Sequence, residues 1–113
     1  MPGKAGCVDI LDAVKACARE VERLTARAGV TVALAMPTFV GPVRVNKMDF
    51  RRTVAELLNQ VLSETSSGRK LTMSFSLPRP DTLAIEVRPA GEPAARSADA
   101  THTAHVPIQR ADG

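Results

Sequence analysis

The sequence predicts an α/β two-layer sandwich of the α+β class. The expected order is helix-strand-strand-helix-strand-strand, with two helices on one face of a small mixed sheet. Three observations carry this. Two stretches place apolar residues at three- and four-residue steps. Two later stretches alternate apolar and polar residues at period two. Gly, Pro and Asn punctuate the joints between them. Helices with one apolar stripe and a sheet with one apolar face satisfy each other as two packed layers.

The first eight residues, with Pro2, Gly3 and Gly6, read as a short lead. Asp9 can cap a helix expected over 9–28. Its stripe is Ile10, Val14, Cys17, Val21, Leu24 and Ala28, widened by Leu11 and Ala18. Gly29 supplies the positive-φ residue that ends helices. Val30 to Ala35 alternates large and small apolar residues and reads as a strand, stopped by Pro37. After Gly41-Pro42, Val43-Arg44-Val45 is a second, short strand, and Asn46 can cap the next helix.

That helix, Asn46 to Thr65, is the organising element. Phe50, Val54, Leu57, Leu58, Val61 and Leu62 form its apolar stripe, and Ser66-Ser67-Gly68 ends it. Leu71 to Leu77 and Thr82 to Arg88 then alternate cleanly on either side of a Pro78-Arg79-Pro80-Asp81 turn, which predicts an antiparallel hairpin. From Pro89 the pattern stops. Residues 1–90 are therefore expected to form the domain, and 91–113 a disordered tail with Val106 and Ile108 as its large apolar residues.

At 113 residues the chain is one domain at most, and 44% apolar content is enough for a modest core. Aromatics are only 3%, with no Trp or Tyr, so the core is aliphatic. A base-stacking surface needs aromatic faces, so no nucleic-acid partner is expected. The net charge of +3 is mild. The adjacent basic pairs Arg51-Arg52 and Arg69-Lys70 read as solvated faces or, more sharply, as contacts for an acidic partner or a phosphate. Two cysteines, Cys7 and Cys17, make no disulfide framework. No apolar run approaches the ~20 residues that span a bilayer, and the opening MPGKAGCVDI lacks a signal-peptide hydrophobic region. A cytoplasmic location without membrane contact is expected.

His102-Thr103-Ala104-His105 has His-x-x-His spacing, but two ligands are too few for a structural zinc site, so no metal is expected. Asp9, Asp12 and Glu56 have simpler roles as a cap or solvated faces than as acid/base groups. No Ser/His/Asp, Cys/His or Gly-x-Gly-x-x-Gly arrangement is present.

The run from Gly29 to Gly91 resembles the first half of the ATP-binding domain of sensor histidine kinases, a fold that family shares with gyrase, Hsp90 and MutL ATPases. Ala28-Gly29-Val30-Thr31-Val32 is similar to the family's helix-to-strand step, and Val43-Arg44-Val45-Asn46 to the segment that opens its long helix. Asp49 to Thr65 lies along that helix without a gap. Thr82 to Val87, followed by Arg88-Pro89-Ala90-Gly91, matches the strand that ends in the family's Asp-x-Gly box.

The resemblance implies where nucleotide chemistry would sit. The helix Asn that holds the Mg²⁺ of ATP is matched by Gln60, one methylene longer, and an Asn one turn earlier by Glu56. The phosphate-facing Lys is matched by Ser63. The adenine-binding Asp is matched by Pro89, or with a displacement by Arg88, and neither side chain accepts a hydrogen bond. The second glycine-rich box and the lid would lie beyond Gly91, where glycines are too few to build a phosphate cradle.

The expectation is therefore a degenerate, truncated histidine-kinase-like domain without cofactor or catalysis. It would act as a protein-interaction module that regulates bacterial two-component signalling by binding a histidine kinase or a receiver domain. An edge left open where the lid is missing would be covered by that partner or by a second copy, as a homodimer. The alternative is a minimal nucleotide-binding protein in which Gln60 and Glu56 hold the cofactor. A third reading is an unrelated two-layer domain that shares only the pattern.

Overall fold

The computed structural model describes residues 7–36, 43–65, 67–90 and 101–110. The elements are β1 (Cys7–Asp9), α1 (Ile10–Ala28), β2 (Thr31–Leu34), β3 (Val43–Asn46), α2 (Lys47–Ser63), β4 (Lys70–Arg79), β5 (Thr82–Pro89) and β6 (His102–Arg110). The strands form one six-stranded sheet in the order β1-β3-β6-β5-β4-β2. Among the described residues the β2–β4 pair is parallel and the other four pairings are antiparallel, so the sheet is mixed as expected.

Local chemistry fixes both helices where the sequence places them. The Asp9 carboxylate accepts from the Leu11 amide at 2.9 Å, and Asn46 Oδ1 accepts from the Asp49 amide at 3.0 Å. At the end of α1, Gly29 adopts φ 70°. Its amide donates to the Ala26 carbonyl, and the Val30 amide donates to that of Thr25. This is a Schellman cap, which satisfies two of the carbonyls a helix terminus leaves open. The Thr25 hydroxyl donates to the Val21 carbonyl at 2.8 Å, which lets this polar residue sit in the core.

The apolar stripes meet the sheet as expected. Phe50, Val54, Leu57, Leu58 and Val61 of α2 are buried, with Ile10, Val14, Cys17 and Val21 of α1. Leu71 and Met73 of β4 and Leu83, Ile85 and Val87 of β5 face them. Phe50 stacks on Phe75 with ring centroids 6.1 Å apart. Leu11 departs from its expected place on the stripe: at 40% exposure it stands outside the core.

The β4–β5 hairpin forms as expected, with an irregularity between Ser76 and Arg79 where Pro78 cannot donate to the ladder. The turn itself is Pro80-Asp81, shorter than the sequence suggested. The Pro37 stop, Gly41-Pro42 and Ser66 lie outside the described residues.

Two expectations are corrected. Cys7–Asp9 is not a plain lead but an edge strand paired with β3. More consequentially, the expected disordered tail of 91–113 contains β6, which lies inside the sheet between β3 and β5. Val106 and Ile108 are buried core residues of this strand. The physical reason is that the helices cover one sheet face only. A strand in such a sheet needs apolar residues at alternate positions alone, and Ala104, Val106 and Ile108 provide them. Pro107 concealed the strand, because proline removes a ladder donor. It sits opposite Thr82, the first residue of β5, and beside it the Ile108 amide donates to the Asp81 carbonyl at 3.0 Å.

Candidate functional site

The period of the helix decides which α2 residues face outward. With Val54, Leu57, Leu58 and Val61 turned to the core, Glu56, Asn59 and Gln60 stand on the exposed side. Glu56, Gln60 and Glu64 follow at four-residue steps and so lie on one face. The Ser63 hydroxyl donates to the Gln60 carbonyl at 2.7 Å and is turned back onto the helix. At the end of this face, Glu64 Oε1 stands 3.9 Å from His102 Nε2 of β6. Glu56, Gln60 and Ser63 are the α2 positions that the resemblance matches to nucleotide contacts.

Strand periodicity sorts the remaining candidates. On β5, Leu83, Ile85 and Val87 face the helices, so Pro89 follows on that face. Arg88 is on the opposite one, across from Thr72. The two residues that could replace the adenine-binding Asp are thus separated by the sheet. Pro89 is on the helix side and its side chain has no acceptor, and Arg88 is on the opposite face.

The same rule separates the two histidines. His102 shares its strand face with Val106 and Ile108, and His105 points to the other side of the sheet. They cannot hold one metal ion together. Among the described residues no group of three or more His, Cys, Asp or Glu side chains converges on a metal position. Asp9 is the α1 cap, as expected.

Sequence reasoning missed the contact of Glu64 with His102, since it placed His102 in an unstructured tail. It also missed a groove between α1 and α2. The groove has a volume of about 370 Å³ and is floored by Ala13, Ala16, Cys17 and Phe50. Its rim carries Arg19, Arg23, Lys47 and Arg51 with the single carboxylate Glu20. The adjacent pair Arg51-Arg52 was the available signal. The structure divides that pair: Arg51 Nε donates to Glu20 at 2.7 Å across the helices, and Arg52 pairs with Asp49 on its own helix at 2.9 Å. Burial, and secondarily the Glu20 carboxylate, push the Cys17 thiol above its ordinary value, against a smaller opposing pull from Arg51 and Lys47.

No protein-family model matches the chain, and no curated protein matches it at a significant level. Solved structures do. A histidine kinase from Burkholderia phymatum STM815 aligns at TM-score 0.61 and 20% identity over 80% of this chain. The Acinetobacter baumannii histidine kinase AdeS aligns at 0.55 and 15% over 77%, and the cytoplasmic segment of histidine kinase QseC at 0.53 and 11% over 71%. The chain spans 41%, 42% and 51% of the respective partners, about half their length or less. No helix among the described residues is long and apolar enough to cross a membrane. At these identities the likeness concerns architecture, and the chain has the fold of a histidine-kinase-like ATPase domain.

Proposed function

We propose that this chain is a non-catalytic protein-interaction module of cytoplasmic two-component signalling, built on a degenerate histidine-kinase-like ATPase fold. Its partner is a histidine kinase or a receiver domain. One observation carries the reading. The positions that the resemblance matches to nucleotide contacts carry Glu56 and Gln60 on the exposed side of α2 and Pro89 at the end of β5, while Arg88 is on the opposite face of the sheet. A carboxylate at Glu56 repels phosphates unless a metal intervenes. Pro89 offers the adenine amino group no side-chain acceptor. Residues 90–101, which join β5 to β6, contain one glycine, Gly91, too few for a phosphate-cradling loop.

A second reading has one observation in its favour. Gln60 and Glu56 are exposed, one helical turn apart, and among the described residues neither side chain has a hydrogen-bond or ion-pair partner, which leaves both available to a Mg²⁺-nucleotide. Calorimetric titration with ATP·Mg²⁺ separates the two. The interaction reading expects no binding heat up to about 1 mM ATP, a threshold that corresponds to about −4 kcal/mol. Micromolar affinity that disappears in Gln60→Ala would establish the nucleotide reading instead.

A further inference from the structure

The groove between α1 and α2 is a different surface from the one just described. Arg51 on its rim and Gln60 are nine positions apart on α2, and at about 100° per residue this places them on opposite flanks of the helix. The floor is apolar and close-packed: Phe50 is 1% exposed, Ala13 2% and Cys17 8%. Ala13 and Ala16 keep the α1 wall low, so a neighbouring backbone can approach closely.

The rim has an unbalanced charge. Four cations surround one carboxylate. That carboxylate, Glu20, is engaged by Arg51 at 2.7 Å and approached by Arg23 at 3.9 Å. Arg19 and Lys47 are exposed and make no ion pair among the described residues. A groove with an apolar floor and cations on both walls fits the acidic flank of an amphipathic helix better than a small molecule, which a site normally encloses.

We propose that the α1–α2 groove docks an acidic amphipathic helix of a partner protein, an apolar side chain over the exposed Ala16 and its carboxylates on Arg19, Arg23 and Lys47. Arginine presents a planar fork suited to carboxylate, and the charge imbalance selects acidic over basic helices. The proposal rests on the interaction reading above and adds to it the contact surface and the chemistry of the partner.

The test uses the full chain and a fluorescein-labelled helical peptide of about 18 residues, with Leu at amphipathic spacing and Glu on both flanks. A control peptide carries Lys in place of Glu. Fluorescence anisotropy should show binding of the Glu peptide and none of the Lys peptide. Affinity should fall about tenfold in the double variant Arg19→Glu, Lys47→Glu, and about tenfold again between low and high salt. Ala16→Leu fills the groove without changing charge and should weaken binding to a similar degree. The distant pair Arg44→Glu, Arg79→Glu carries the same change in net charge and should leave affinity within about twofold. All three variants alter exposed positions, and a thermal melt verifies their folding.

Absence of Glu-peptide binding, equal binding of the Lys peptide, or an equal loss in the distant pair overturns the groove proposal. The ATP titration is scored on the same samples. A silent titration with no peptide binding removes the groove and leaves the interaction reading standing; nucleotide binding at Gln60 removes the reading itself.

Discussion

Arg51 Nε donates to Glu20 Oε2 at 2.7 Å and so ties α2 to α1 across 31 residues of sequence. The bond stands at the edge of the groove, above the buried Cys17 and Phe50. The Arg51 side chain is 58% exposed and that of Glu20 25%, so water screens much of the attraction.

Arg51→Ala should therefore cost no more than about 1 kcal/mol of stability. Double-mutant cycles with Glu20→Ala, read by urea denaturation, will give the coupling. It should shrink at high salt. A coupling that salt does not touch would show that the pair is better shielded than its exposure indicates.

Gly29 and Gly68 make a second prediction. Gly29 has φ 70° and Gly68 φ 89°, and the Gly68 amide donates to the Gly29 carbonyl at 2.7 Å. A Cβ on Gly29 would stand 3.1 Å from Ser67 Cβ, whereas one on Gly68 would meet nothing within 4 Å. Gly68→Ala should cost about 1 kcal/mol, from backbone strain alone. Gly29→Ala should cost about 1 kcal/mol more, and Ser67→Gly should recover that difference. Denaturation midpoints of the three variants will measure it.

Deletion of residues 101–113 should abolish cooperative unfolding. It removes β6 from between β3 and β5 and exposes Val45, Leu83 and Ile85. Were this stretch an unstructured tail, the truncated chain would melt as the full chain does. The single change Val106→Ala should cost about 2 kcal/mol through lost burial.

Cys17 sets an alkaline limit. Its thiol is 8% exposed, and burial raises its pKa above the ordinary 9.0. The folded state thus favours the neutral thiol. Its contribution to stability is complete below the unfolded-state pKa and is lost as pH rises through the higher folded value. Stability of the native chain should decline above about pH 9 more steeply than that of Cys17→Ala, in denaturant melts across the alkaline range. A thiol reagent at neutral pH should modify the half-buried Cys7 well before Cys17.

Much of the fold was legible in the sequence because its signals are local. The stripe of Phe50, Val54, Leu57, Leu58 and Val61, the caps Asp9, Asn46 and Gly29, and the β4–β5 alternation each need only neighbours in sequence. β6 was not legible, since Val106 and Ile108 form too short an apolar series to announce a strand and Pro107 argues against one. Their burial depends on β3 and β5, which come from distant parts of the chain. The positions of Gln60 and Glu56 on the exposed side of α2 followed from helical period alone. The groove did not, because Arg19, Arg23, Lys47 and Arg51 come from two helices whose relative placement no local pattern records.

The sequence by itself determined the two helices, their buried faces and their ends, since side-chain period and capping hydrogen bonds act within a few residues. The resemblance read from it sets Gln60 and Pro89 against the family's nucleotide contacts as an expectation. Only the tertiary structure decided that His102–Arg110 completes the sheet and that four cations gather between α1 and α2. Those facts depend on which distant segments become neighbours, and that is settled by burying all the apolar faces in one core.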